Sequence, residues 1–183
     1  EPSEVQAKCI PVLLESETDL VALAQTGTGK TAGFALPILQ DLAGKLEEGV
    51  HYPKALVLVP TRELAKQVHQ SFVDYGEYLL LKSEVLYGGA NINAQASRLK
   101  EGRDIIVSTS GRLLEHIEKK NIDLSALKYL VMDEADTILD MGFVREVSQI
   151  LQHLPEKRQN ILISATLSAP LKYYTGLGSF FFI

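Results

Sequence analysis

Gln25-Thr26-Gly27-Thr28-Gly29-Lys30-Thr31 holds the residue types that wrap a chain of phosphates. A short apolar run, Leu20-Val21-Ala22-Leu23-Ala24, leads into it, and the order of strand, glycine turn and Gly-Lys-Thr is what a phosphate-binding loop requires. Glycines let backbone N–H groups close around phosphate oxygens, and the start of a helix directs its partial positive charge at them. Lys30 can reach terminal phosphates, and the Thr31 hydroxyl can hold Mg²⁺. The general pattern G-x-x-x-x-G-K-[ST] opens on a glycine where this chain has Ala24, so these residues alone match it incompletely.

A second set, Asp133-Glu134-Ala135-Asp136, leaves the apolar run Tyr129 to Met132. Asp133 is placed to hold Mg²⁺ through water, and Glu134 to polarise a water that attacks a terminal phosphate. The competing reading is a helix N-terminus, where acidic residues are favoured. It suits Asp136 well, and suits Asp133 and Glu134 poorly given the phosphate loop upstream.

These residues need a frame to bring them together. The chain alternates short β-branched or Leu-rich runs with helix-period stretches. Strands are predicted at Leu20–Ala24, Ala55–Val59, Ser83–Tyr87, Asp104–Ser108, Tyr129–Met132 and Asn160–Ile163, and helices include Lys30–Leu46, Arg62–Tyr78 and Val144–Leu154. Ala-Leu-Val-Leu-Val and Tyr-Leu-Val-Met do not alternate with polar residues, so they read as strands covered on both faces of a parallel sheet. Each strand runs into a polar or glycine-bearing segment. Beyond the two above these are Pro60-Thr61-Arg62-Glu63-Leu64, Gly88-Gly89, Thr109-Ser110-Gly111-Arg112 and Ser164-Ala165-Thr166. In a parallel sheet all these carboxyl ends share one edge, where open α/β folds bind ligands.

With 183 residues, 46% of them hydrophobic and 22% charged, the chain suits a single globular domain. No apolar run approaches the roughly 20 residues of a membrane helix, and no signal-peptide pattern opens the sequence. Cys9 is the single cysteine, so it has no partner for an internal disulfide, which fits a reducing cytosol and a small buried apolar residue. The net charge of −5 gives no general attraction for nucleic acid, so any such site must be local. His51, His69, His116 and His153 share no metal-ligand spacing and read as surface or half-buried structural residues.

Taken in order, these motifs resemble the DEAD-box family of ATP-dependent RNA helicases. Pro2-Ser3-Glu4-Val5-Gln6 looks like the end of that family's Q motif, Ala24 to Thr31 like motif I, and Pro60 to Leu64 like motif Ia. Gly88-Gly89 is similar to the GG motif, Thr109 to Arg112 to motif Ib, Asp133 to Asp136 to motif II, and Ser164 to Thr166 to motif III. The family tolerates alanine at the position of Ala24. The resemblance spans essentially the whole chain. It implies a three-layer α/β RecA-like P-loop NTPase domain with a mostly parallel central sheet, covering residues 1–183, that binds ATP and Mg²⁺.

The resemblance also implies roles. Gln6 would read the adenine edge, with Gln25 to Thr31 cradling the phosphates; an exposed helix residue is the plain alternative for Gln6. Pro60, Thr61, Arg62, Gly88, Gly89, Thr109, Gly111 and Arg112 would line a path for single-stranded RNA backbone, although Thr61 and Thr109 also suit helix caps. Asp136, Ser164 and Thr166 would couple the nucleotide site to interdomain closure. In RecA-like folds the strand after the acidic one inserts beside the phosphate-loop strand, so Asn160–Ile163 should lie between Leu20–Ala24 and Tyr129–Met132.

One departure is Ser110, where the family usually has proline; the loop loses a rigid φ. The family places an adenine-stacking aromatic upstream of Glu1, and a second RecA-like domain with an arginine finger after Ile183. The tail from Gly178 to Ile183 reads as a last strand, with a frayed end as the alternative. The expected function is that of a cytoplasmic, or in a eukaryote nuclear, ATP-dependent RNA helicase, with the chain alone nearly inert. An ATP-dependent RNA clamp with little turnover is the alternative. A DNA-directed helicase of the same fold is disfavoured by the Gln6 segment, Pro-Thr-Arg-Glu-Leu and Asp-Glu-Ala-Asp.

Overall fold

The computed structural model describes residues 1–45, 49, 51–176 and 179–183. A seven-stranded sheet runs through it in the order β3-β4-β2-β5-β6-β1-β7. The strands are β1 (Asp19–Leu23), β2 (Ala55–Val59), β3 (Ser83–Leu86), β4 (Ile105–Thr109), β5 (Tyr129–Asp133), β6 (Gln159–Ser164) and β7 (Phe180–Phe182). Every pairing is parallel, so the sheet is wholly parallel rather than mostly so. β6 lies between β5 and β1, the order expected from the motif resemblance.

Successive side chains of a strand point to opposite faces, and both faces here are covered. In β2, Ala55, Val57 and Val59 enter one core with Phe34, Ile38, Val68 and Phe72. Leu56 and Leu58 enter a second core with Leu113, Ile138 and Ile150. β5 divides the same way, with Tyr129 and Val131 on one side and Leu130 and Met132 on the other. A strand buried on both sides has no polar face to show, which is why these runs do not alternate. Each fully buried Leu or Ile stabilises the fold by about 1.5–3 kcal/mol.

Helices α1 (Glu4–Glu15), α2 (Lys30–Ala43) and α3 (Arg62–Tyr75) cover the first core. On the other face lie α4 (Ile92–Lys100), α5 (Ser110–Glu118), α6 (Ala135–Asp140), α7 (Val144–Leu151) and α8 (Ala169–Thr175). α3 stops at Tyr75 rather than Tyr78 because Gly76 caps it, donating its N–H to Phe72 O at 3.0 Å. α7 stops at Leu151, short of Leu154. α2 runs to Ala43, and its expected end at Leu46 lies outside the described residues, as does Gly178 in the tail. Phe180, Phe181 and Phe182 pair with Asp19, Leu20 and Val21, so the tail forms a strand, and its outer residues stay exposed.

β5 and β6 overrun their expected ends, whereas β1 stops at Leu23 and β3 at Leu86, each one residue short. β5 extends to include Asp133, and β6 to include Ser164, so both side chains are set by sheet register rather than by a loop. The turn before β1 is held against β6. Gln159 Nε2 donates to Ser16 O (3.2 Å) and Thr18 O (2.7 Å), while the Asp19 carboxylate accepts from Asn160 N (2.6 Å) and Nδ2 (2.9 Å). This latch seats α1, the helix that carries Gln6.

Candidate functional site

The phosphate loop leaves β1 and turns through two left-handed glycines, Gly27 at φ 82° and Gly29 at φ 76°. Glycine adopts that region without the steric cost a Cβ imposes. Thr28 Oγ1 closes the turn by donating to Gln25 O at 2.7 Å. Gly29 is the N-cap of α2 and has no side chain to occupy the first-turn N–H groups, so they remain open to an anion. Gln6 reaches this loop from α1. Its Nε2 donates to Gly29 O at 3.1 Å and its Oε1 accepts from Ser3 N at 3.0 Å, completing a capping box. Gln6 is therefore a fixed strut against the loop, not the free exposed residue of the plain alternative. A Cβ on Gly29 would lie only 2.5 Å from Gln6 Nε2, so a side chain here would displace the Gln6 amide from the loop, besides straining the φ.

Lys30 is nearly buried, and its Nζ lies 3.0 Å from Asp133 Oδ1 and 3.6 Å from Glu134 Oε1. Burial pushes the Asp133 carboxyl above its ordinary range, with the Lys30 ammonium pulling the other way. Its Oδ1 also accepts from Glu134 N at 2.9 Å, while the buried Oδ2 has no partner. An orphaned buried oxygen on the carboxylate that pairs with the phosphate-loop lysine fits a site for hydrated Mg²⁺, with Thr31 next to Lys30 in α2. Among the described residues no group of three or more His, Cys, Asp or Glu side chains is arranged to hold a metal. A cation here would therefore keep water and phosphate ligands. Glu134 sits at φ 53°, ψ 50°, a left-handed conformation costly for a residue with a Cβ and characteristic of strained functional turns.

Asp136 joins this turn to the loop after β6. Its Oδ2 accepts from Thr166 Oγ1 (2.8 Å) and Thr166 N (3.0 Å), and its Oδ1 from Thr137 N (2.9 Å). Its own N–H donates to Ser164 Oγ at 3.2 Å, and that hydroxyl donates onward to Thr166 O at 2.7 Å. Burial works to raise the Asp136 carboxyl, but the bonds from Thr166, Thr137 and Ser164 outweigh it and hold it below its ordinary range. Asp136 lies in the first turn of α6 and is hydrogen-bonded to both Ser164 and Thr166.

The remaining candidates follow β2, β4 and β3, on the other half of the same sheet edge. Thr61 caps α3 by accepting from Leu64 N at 3.2 Å. Arg62 is exposed and pairs with Glu63, and its guanidinium lies 3.6 Å from where a Cβ on Gly89 would stand. Gly88, Gly89 and Gly111 are exposed, and Thr109 is half-buried at the N-cap of α5 without a capping bond, so its hydroxyl is uncommitted. Pro60 is buried. Ser110 opens α5 as its first residue, a position where proline fits well and serine still continues a helix.

Arg112 does not join the exposed row. Its Nη1 turns inward and donates to Ala90 O and Gln95 Oε1, both at 3.0 Å. Gln95 is 1% exposed; its Oε1 also accepts from His116 Nε2 (2.9 Å), and its Nε2 donates to Tyr87 O (3.3 Å). His116 is completely buried, deeper than expected, and takes a bond from Asn121 Nδ2 at 3.1 Å. Burial and the Arg112 charge push its imidazole down, keeping it neutral. Gln95 is the residue the motif reading misses, because one amide on an amphipathic helix has no signature until its partners on α5 and after β3 are known. Cys9 is buried, with its thiol pushed up to about 11 by burial, and is structural. Among the described residues no helix is long and apolar enough to cross a membrane.

The sequence profile of DEAD/DEAH box helicases matches residues 3–173. The chain belongs to this family. The DEAD-box domain is 45% identical over 175 residues to the ATP-dependent RNA helicase DeaD of Escherichia coli K12, which covers 95% of this chain and 27% of that protein. It is 45% identical over 174 residues to DeaD of Mycobacterium tuberculosis H37Rv, covering 93% of this chain and 30% of the relative. It thus spans under a third of the length of these curated relatives. Among solved structures, a DEAD box protein from Methanococcus jannaschii superposes with a TM-score of 0.90 at 38% identity, over 100% of this chain and 49% of that one. A hypothetical ATP-dependent RNA helicase from Sulfolobus tokodaii superposes with a TM-score of 0.85 at 36% identity, over 100% of this chain and 53% of that one. The DEAD-box domain described here is an N-terminal RecA-like domain with the three-layer architecture expected from its motifs.

Proposed function

We propose that this domain binds Mg-ATP and part of a single-stranded RNA backbone, as one half of an ATP-dependent RNA helicase whose second RecA-like domain lies in the same polypeptide. The observation that carries this reading is the division of one sheet edge. The phosphate loop, the Ser164 loop and the Asp133 turn follow the adjacent strands β1, β6 and β5, in that order, while the candidate RNA loops follow β2, β4 and β3. Two ligand rows thus meet at the β5–β2 boundary. The relatives' greater length supports the second domain, and the unpaired cysteine suits the cytoplasm, or the nucleus in a eukaryote.

In this reading Gln6 offers its remaining amide valences to the adenine, and the open N–H groups of Gln25 to Lys30 receive phosphate oxygens. The Lys30 ammonium, held ready by Asp133, neutralises terminal phosphate charge. Bound Mg²⁺, held by Asp133 and Thr31 with water, would add further charge neutralisation. Glu134 takes a proton from the attacking water as its oxygen bonds to the terminal phosphorus and the bridging P–O bond breaks. Asp136 reports the state of this turn to Ser164 and Thr166.

Isothermal titration of the chain with ADP, and phosphate release with and without single-stranded RNA in the parent protein, test the proposal. Nucleotide binding weakened in Lys30→Ala, and ATPase stimulated by RNA, are the expected results. An ADP affinity indifferent to Lys30→Ala would overturn the nucleotide site. RNA residence without stimulated turnover would favour the clamp.

A further inference from the structure

Lys66 stands one turn beyond Arg62 on the exposed face of α3, and its Nζ lies 4.9 Å from the centroid of the Tyr87 ring. Residues four apart on a helix share a face, so the two cations form a short row along the helix. The row runs beside the glycine loop: Arg62 approaches Gly89, and Tyr87 immediately precedes Gly88. The two cations are not equivalent. The Arg62 guanidinium is engaged by Glu63 at 2.8 Å, whereas among the described residues Lys66 is in no ion pair.

A cation over an aromatic face is held electrostatically, but a ring face takes up little of its hydrogen-bonding capacity. Lys66 is therefore positioned while its ammonium donors stay available. The platform beneath it is braced from below. Gln95 Nε2 holds Tyr87 O at 3.3 Å, and Ser108 Oγ holds Leu86 O at 3.1 Å, so the strand end carrying the ring is tied to both α4 and β4. A fixed, uncommitted cation beside exposed backbone amides is what a phosphodiester contact requires, and it reads no base. In a chain of net charge −5, one such cation weighs more than it would on a basic surface.

We propose that Lys66, seated over Tyr87, is a further phosphate subsite for single-stranded RNA, engaging a phosphodiester next to the one held by Arg62 and the Gly88-Gly89 amides. The inference rests on the RNA-backbone reading of that row. It extends the path along α3, outside the motif residues.

The test is binding of a fluorescent single-stranded oligouridylate to the parent protein across a salt series, with ADP affinity measured in parallel. Each phosphate contact to a single strand contributes about 0.7 to the slope of log K against log salt. Lys66→Ala is expected to weaken binding several-fold at low salt and to flatten that slope by about 0.7, with ADP affinity unchanged. Lys66→Arg and Tyr87→Phe should keep the slope, since charge and ring remain, while Tyr87→Leu should weaken binding. If Arg62→Ala flattens the slope and Lys66→Ala leaves slope and affinity at wild-type values, the Lys66 subsite is refuted alone. If neither variant changes binding, the RNA-backbone reading of this row fails, and the subsite with it.

Discussion

Arg112 Nη1 donates to Gln95 Oε1 at 3.0 Å, so an arginine in the first turn of α5, the helix after β4, is anchored to an amide on the helix that follows the Gly88-Gly89 loop. The same guanidinium nitrogen holds Ala90 O, and the same amide holds Tyr87 O. Both ends of the exposed glycine loop are thereby fixed by bonds to Tyr87 O and Ala90 O.

Gln95→Leu should therefore loosen two loops at once. It leaves buried His116 Nε2 without its acceptor, which costs about 1–3 kcal/mol for a group so stranded, and removes one of the two acceptors of Arg112 Nη1, Ala90 O remaining. Urea denaturation should show that loss, and oligouridylate binding should fall while ADP affinity holds. Equal losses for both ligands would show that Gln95 stabilises the domain without shaping one site.

Thr166→Val removes the hydroxyl bond to Asp136 at constant shape and leaves the backbone bond in place. In the parent protein we expect ATP affinity near wild type and a larger loss of strand separation than of ATPase. Proportional losses of both activities would assign Thr166 to the chemistry itself.

Lys30→Ala should weaken ATP by about 1.5–3 kcal/mol, the worth of a hydrogen bond to a charged group. Glu134→Gln should bind ATP almost normally and hydrolyse it poorly, because an amide is a far weaker base. Glu134 also sits in the left-handed region, where a Cβ costs roughly 1–2 kcal/mol. Glu134→Gly should accordingly be more stable than Glu134→Ala by about 1 kcal/mol, and thermal unfolding of the two compares them directly.

Asp41 on α2 accepts from Lys128 Nζ (2.7 Å) and Tyr129 Oη (2.8 Å), and also pairs with Lys45. Burial works to raise its carboxyl, but these bonds outweigh it and hold it at about 2, against an ordinary 3.8. A depressed carboxyl contributes stability that is complete above its unfolded value and lost as pH falls through the folded one. The contribution should be at most about 2 kcal/mol, reduced by solvent screening of this partly exposed carboxylate, complete above pH ~5 and mostly lost by pH ~2. Urea denaturation of wild type and Asp41→Asn should converge over that window; a constant difference from pH 6 to pH 2 would remove Asp41 as the source.

The sequence by itself determined the phosphate loop, the parallel sheet and the order of the motifs. Those properties are local: Gly27 and Gly29 are demanded by backbone conformations at their own positions, and a doubly buried strand such as Ala55–Val59 shows its burial in five consecutive residues. Tertiary structure decided which motifs are neighbours. Strand order puts Ser164 beside Asp136 and separates the phosphate loop from the glycine loop, and no spacing along the chain encodes that. It also decided which way side chains face. Arg112 and Arg62 look alike as motif arginines, yet one is drawn inward by acceptors on Ala90 and Gln95 while the other stays in solvent. A side chain's direction is set by the partners that can satisfy its donors, and for Arg112 those partners come from a crossover 17 to 22 residues earlier in the chain.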